Sequence, residues 1–187
     1  EKVGAIMGKE IVVLLGSPRK GGNSEQLADA FIRGAAQMGH HATKIYTEDL
    51  DTGCVGCGGC YAAADRPCCR HADFNRVAGT LLHADGFVLA APLYWYGFPG
   101  KMKCFIDNMY CFYSSGKLTQ GGRKKAALLS CGYAKDYLMF DAIQRSFEMV
   151  ARVADWSIAG QIFVDGVLES GAVRQTDGPK RAEALGC

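Results

Sequence analysis

The sequence predicts an α/β fold, a three-layer sandwich in which helices cover both faces of a five-stranded parallel sheet of order 2-1-3-4-5. Three observations predict it. Apolar runs alternate with helical stretches along the chain, the runs Ile11–Leu15 and Gly86–Ala91 are continuous rather than alternating, and the runs end at Gly- or Pro-bearing loops. A continuous apolar run is what a strand covered on both faces needs, and a β-α-β-α rhythm calls for right-handed parallel crossovers.

The elements follow in order. After the strand Ile11–Leu15, a helix is expected from about Asn23 to Met38, with Leu27, Phe31, Ala35 and Met38 along one stripe and Gly39 closing it. A short strand near Ala42–Tyr46 leads into a cysteine-rich loop and then a helix near Asp73–His83, presenting Val77, Leu81 and Leu82. The strand Gly86–Ala91 ends at Pro92, Gly100–Asn108 reads as helix, and Ala126–Leu129 is the apolar centre of the next strand. A long helix, Tyr137–Ala154, puts Phe140, Ile143, Phe147, Val150 and Ala154 on one side. The last strand lies near Ile158–Val164, and Lys180–Leu185 reads as a terminal helix fragment, while Gly116–Arg123 is a polar connection.

With 187 residues, 49% hydrophobic and 21% charged, the chain suits one soluble domain, taken as residues 10–187 behind an extension 1–9 in which Met7 is a candidate start. A formal net charge of +2 is too small to argue for nucleic acid or an anionic membrane, so neither is expected as partner, and no apolar run approaches the ~20 residues of a bilayer span. The nine cysteines are odd in number and uneven in placement, which fits reduced thiols and a cytoplasmic protein better than a disulfide framework.

In the 2-1-3-4-5 order, ligands sit beyond the carboxyl ends of strands one and three. The segments after Leu15, Ala91 and Leu129 should therefore form one site. The first is Gly16-Ser17-Pro18-Arg19-Lys20-Gly21-Gly22-Asn23-Ser24, which runs from a strand into a helix. Free N–H groups and the positive end of a helix dipole converge there, the hydroxyls of Ser17 and Ser24 can donate, and Arg19 supplies a planar cation. It is not a nucleoside-triphosphatase P-loop, because Gly22 and Asn23 stand where Lys and Ser/Thr are required, and no G-x-G-x-x-G follows the strand.

The second segment is Pro92-Leu93-Tyr94-Trp95-Tyr96-Gly97-Phe98, four aromatics in five positions from Tyr94 to Phe98. Such a loop asks for a flat ligand or a partner chain to cover it. The third, Ser130-Cys131-Gly132-Tyr133, can add backbone contacts. A phosphate site beside a planar-ring site suggests a mononucleotide with a large flat base, and flavin mononucleotide (FMN) fits best.

The segments G-S-P-R-K-G-G-N-S, P-L-Y-W-Y-G-F-P-G-K-M-K-C-F-I-D and C-V-G-C-G-G-C resemble the NADPH-dependent FMN reductase family of flavodoxin-like proteins, over Glu10 to about Gly171. The resemblance implies a flavodoxin-like fold with non-covalent FMN. By position, Ser17, Arg19, Gly22, Asn23 and Ser24 would hold the phosphate. Pro92, Leu93, Tyr94, Trp95, Tyr96 and Gly97 would line the ring, with Cys131 and Gly132 nearby. It also implies a homodimer or homotetramer.

Cys54-x2-Cys57-x2-Cys60-x7-Cys68, followed directly by Cys69, offers the four thiolates that a [4Fe–4S] cluster takes from a compact loop. This loop resembles that of the iron–sulfur flavoproteins, a branch of the same family, although plain FMN reductases also carry such cysteines and Cys68-Cys69 leaves the fourth ligand open. Free or redox-active thiols are the other reading, and zinc fits less well because two separated C-x2-C knuckles are absent. Cys104 reads as a buried thiol, His71 as a solvated or capping residue, and Arg123-Lys124-Lys125 as a solvated charge run.

The expected activity is hydride transfer from NAD(P)H to flavin N5, then electron delivery to a quinone, flavin, nitro compound, metal ion or protein in ping-pong order. The cofactor carries the chemistry, so no acid–base side chain is required. The rival reading is an electron carrier holding FMN, alone or with a [4Fe–4S] cluster on the Cys54–Cys68 loop.

Overall fold

Five parallel strands stand in the order β2-β1-β3-β4-β5 in the computed structural model, which describes residues 8–63, 66–119 and 122–187. They are β1 (Glu10–Leu15), β2 (His41–Tyr46), β3 (Gly86–Pro92), β4 (Lys125–Cys131) and β5 (Ser157–Val164). This is the expected topology. Leu15 pairs with Ala90, and Ala90 with Leu129, so the three central strands finish side by side and hand three loops to one edge.

The helices are α1 (Asn23–Gln37), α2 (Ala72–His83), α3 (Gly100–Asn108), α4 (Tyr110–Ser114), α5 (Asp141–Val153) and α6 (Gly178–Gly186). Successive strand residues feed opposite layers. Val12, Leu14, Phe87, Leu89 and Leu128 join Phe74, Phe105, Phe112 and Phe147 from α2, α3, α4 and α5 on one face. Val13, Leu15, Val88 and Leu129 meet Leu27, Phe31 and Ala182 from α1 and α6 on the other. Each such large side chain contributes ~1.5–3 kcal/mol on burial. The backbones of α1 and α6 touch: a Cβ at Gly34 would strike the carbonyl of Glu183, and one at Gly186 the carbonyl of Phe31.

Three local readings are corrected, and one short helix is added. The stretch expected as one helix from Tyr137 begins as a 3-10 turn, Tyr137–Phe140, before α5. The Asp136 carboxylate caps that turn by accepting the N–H of Leu138 at 3.0 Å, and Phe140 stacks on Phe163 at 5.0 Å. Met38 leaves the buried stripe and is 47% exposed, because α1 ends at Gln37 and Gly39 turns the chain at φ +76°. Tyr110–Ser114, between the helix read at Gly100–Asn108 and the polar connection, adds a short helix after a break at Met109. Lys124 is buried rather than solvated: its ammonium donates to the carbonyls of Leu82 and Ala84, which close α2. Met7 lies outside the described residues, and so do residues 120–121 of the polar connection.

Candidate functional site

The loop after β1 is tightly built. Ser17 Oγ accepts the N–H of Arg19 at 3.1 Å, and the N–H of Gly22 donates to Arg19 O at 3.1 Å. Gly21 sits at φ +73°, a region side chains disfavour. Helix α1 then starts from Gly22 without a side-chain cap, so its first N–H groups stay available to an anion. Ser17 and Ser24 are both buried, at 8% and 2% exposure, beneath the exposed Arg19.

Glu25 was not singled out by the motif, yet it anchors the loop. Its buried carboxylate accepts the N–H of Gly21 at 2.6 Å, the Tyr46 hydroxyl at 2.5 Å and the Lys44 ammonium at 2.9 Å. Lys44 also pairs with Asp29 at 2.5 Å. Burial alone would raise the pKa of Glu25, but the bonds from Tyr46, Lys44 and Gly21 outweigh it and hold the carboxyl below the usual range. The available signal was an acidic residue in the first turn of α1 with Lys44 and Tyr46 two apart on a strand, hence on one face.

The loop after β3 splits into two parts. Pro92, Leu93 and Tyr94 line the same cavity as Ser17, Arg19, Gly22, Asn23 and Ser24, a space of about 160 Å³. Trp95, Tyr96 and Gly97 do not. Trp95 and Tyr96 form the tip of a two-residue hairpin closed by mutual Tyr94–Gly97 backbone bonds of 3.1 and 3.0 Å. Both have positive φ, 48° and 66°, the pattern of a type I′ turn that normally selects Asn and Gly. Trp95 is 96% exposed at that tip.

From the loop after β4, Cys131, Gly132 and Tyr133 complete the cavity. Burial pushes the Cys131 thiol up to about 12, so it faces the cavity as a neutral, weakly polar group. A fourth wall was not foreseen: Val167, Leu168 and Ser170, from the segment after β5. Asn23 is also differently employed, since its side-chain amide bonds that segment rather than standing free. One end of the cavity thus offers an uncapped helix terminus, two hydroxyls and an arginine. The other offers the surfaces of Pro92, Leu93, Tyr94 and Gly132. That donor set fits a phosphate joined to a flat, largely apolar ring.

The cysteine loop forms a second cavity of about 170 Å³, lined by Cys54, Cys57, Cys60, Cys68, Cys69 and Cys111. Cys57 and Cys69 face each other at 3.7 Å. Asn75 grips the backbone of Cys68 from both sides, at 2.8 and 2.7 Å, and Asn108 Nδ2 lies 3.5 Å from its sulfur. Ser114 Oγ donates to Cys60 Sγ at 3.4 Å. His71 precedes α2 as its N-cap residue, its Nε2 2.7 Å from Gly53 O, and lines this cavity. Cys104 is half-buried rather than buried. Among the described residues no three His, Cys, Asp or Glu side chains converge on one metal-ion position.

Residues 10–147 match the family model of the NADPH-dependent FMN reductases. The chain belongs to that family. An iron–sulfur flavoprotein of Archaeoglobus fulgidus is 32% identical over 99 residues, covering 52% of this chain and 44% of that protein. One from Methanosarcina thermophila is 29% identical over 101 residues, covering 53% and 51%. The chain thus spans about half the length of the curated relatives it matches. Among solved structures, an NAD(P)H:quinone oxidoreductase from Methanothermobacter marburgensis superposes with a TM-score of 0.72 at 18% identity, covering 96% of this chain and 94% of that one. That likeness is one of fold, and it is the flavodoxin-like fold of the FMN reductase family.

Proposed function

We propose that this chain is an FMN-dependent oxidoreductase that takes reducing equivalents from NAD(P)H and passes them to a quinone, flavin, nitro compound, metal ion or protein. The observation that carries the reading is the single cavity in which three strand-end loops meet, polar and cationic at one end, flat and apolar at the other. When bound there, FMN supplies hydride acceptance and onward electron transfer, in an order we take as ping-pong.

The chain's own residues do the holding. The first turn of α1, Ser17, Ser24 and Arg19 would bind the phosphate, with Glu25 fixing the loop through Gly21. Pro92, Leu93, Tyr94 and Gly132 would flank the ring and keep water from one side of it. The exposed hairpin tip at Trp95 and Tyr96 would cover a nicotinamide or a second subunit of a homodimer or homotetramer. We take residues 10–187 as one catalytic domain acting in the cytoplasm. Steady-state oxidation of NADPH and NADH with a quinone acceptor tests the reading: the protein must outpace an equal amount of free FMN.

A second reading is favoured by the cysteine cavity. Its donor set suits a [4Fe–4S] cluster, whose ligands sit on separate irons and need not converge on one point. Cys54, Cys57, Cys60 and Cys68 would hold it, with Asn108 and Ser114 as hydrogen-bond donors to sulfur. Cys68 is favoured over Cys69 because Asn75 fixes its backbone and its side chain packs on the core. Loaded in this way, the protein would also serve as an electron carrier.

A further inference from the structure

Asn23 opens α1 beside the phosphate-shaped loop, yet its side chain is committed elsewhere. Its Nδ2 donates to Glu169 O at 2.9 Å, while its Oδ1 accepts the N–H groups of Gly171 at 2.9 Å and Val173 at 3.3 Å. Two donors on the oxygen fix the orientation of the amide and use both its lone pairs. At most one side-chain N–H is left for a phosphate. One turn along the helix, Gln26 Oε1 accepts Arg174 Nε at 2.8 Å, and Gln26 Nε2 donates to Gly21 O at 2.7 Å.

The near end of the same segment is bonded to the loop after β4. The N–H of Gly166 donates to Ala134 O at 3.1 Å, and that of Val167 to Gly132 O at 2.9 Å. Residues 166–174 are therefore a strap joining the first loop to the third. It places Val167, Leu168 and Ser170 in the cavity wall. The strap lies beyond residue 147, where the match to the family model ends.

We propose that Asn23 is a positioning residue that docks this strap as the fourth wall of the flavin cavity, so that cofactor retention depends on a segment outside the family-matched part of the chain. The inference rests on the flavin reading above. A bond from Asn23 to the strap serves the whole cavity, whereas a bond to phosphate would serve FMN alone. Riboflavin, which lacks the phosphate, separates the two.

The test is titration of flavin-free full chain with FMN and with riboflavin, followed by fluorescence quenching, together with amide hydrogen exchange across residues 166–174. Asn23→Ala should weaken both flavins by a similar factor, roughly 5- to 50-fold, as expected for loss of two or three hydrogen bonds. Exchange at Gly171 and Val173 should speed up in the same variant. Arg19→Ala, the comparison, should weaken FMN and spare riboflavin. Asn23→Ala that weakens FMN alone with strap exchange unchanged, or that changes neither flavin, overturns the proposal. Should the alanine variant not fold, wild-type protein decides: riboflavin must slow exchange across the strap, and no slowing overturns the proposal. Should wild type bind neither flavin, the flavin reading fails, and exchange in Asn23→Ala still decides whether the clamp holds the strap.

Discussion

The carboxylate of Glu25 accepts the backbone N–H of Gly21 at 2.6 Å, across the open side of the loop that precedes α1. That bond takes one N–H of the loop out of use for a ligand and fixes the left-handed turn at Gly21. Lys44 and Tyr46 hold the carboxylate from β2, so the loop's shape is set by the strand beneath it. Replacing Glu25 by Ala would leave Lys44 half-paired and the Gly21 N–H unbonded. A loss of about 2–3 kcal/mol is expected in urea unfolding, with weaker FMN binding.

The same carboxyl carries a pH dependence. Its folded pKa lies below its unfolded value, so the stability it contributes is complete above the unfolded value and is lost as pH falls through the folded one. Wild type should therefore lose stability below the ordinary glutamate pKa of about 4.3, and Glu25→Gln should lose less over that range. Urea midpoints measured from pH 7 down to the acid limit check this; parallel curves for the two proteins would contradict it.

Arg19 and Ser17 are expected to read the phosphate. Arg19→Ala combined with Ser17→Ala should yield mostly apo-protein, since one charge-assisted bond is worth ~1.5–3 kcal/mol. Absorbance of the purified variant at the flavin bands measures occupancy, and unchanged FMN content would refute the assignment.

The hairpin tip holds strain that its exposure does not require. Trp95 and Tyr96 occupy left-handed conformations that cost L-residues roughly 1–2 kcal/mol each. Trp95→Asn with Tyr96→Gly supplies the residues the turn prefers and should stabilise the fold by about 1–2 kcal/mol, while lowering turnover with NADPH. A variant that is less stable, or equally active, would argue against a functional role for these rings.

The thiols of the chain separate by reactivity and by ligand role. Burial pushes Cys111 and Cys131 up to about 12, so both should resist iodoacetamide at neutral pH while the exposed Cys54 and Cys187 react; peptide mass spectrometry reads this. After anaerobic reconstitution with iron and sulfide, Cys68→Ser should lose iron and Cys69→Ser should keep it. Equal iron in the two variants would sink the assignment.

Much of this was legible in the chain. Continuous apolar runs such as Ile11–Leu15 carry their own diagnosis, because only a doubly covered strand tolerates them. The loops at Ser17, Pro92 and Cys131 were legible because topology dictates where strand ends meet. What escaped depends on contacts distant in sequence. The bonds of Asn23 to the segment after β5 show only once Gly171 is brought to it, and Lys124 reads as a surface charge until the end of α2 lies over it. Trp95 showed the opposite failure, since composition reveals an aromatic cluster but not that a tight turn leaves its tip exposed and out of the cavity lining.

The most direct test of the central claim is the visible spectrum of the protein after incubation with FMN and desalting, before and after addition of NADPH without air. The account predicts retained flavin bands that bleach on NADPH addition. A colourless protein, or flavin bands that NADPH leaves untouched, would contradict it.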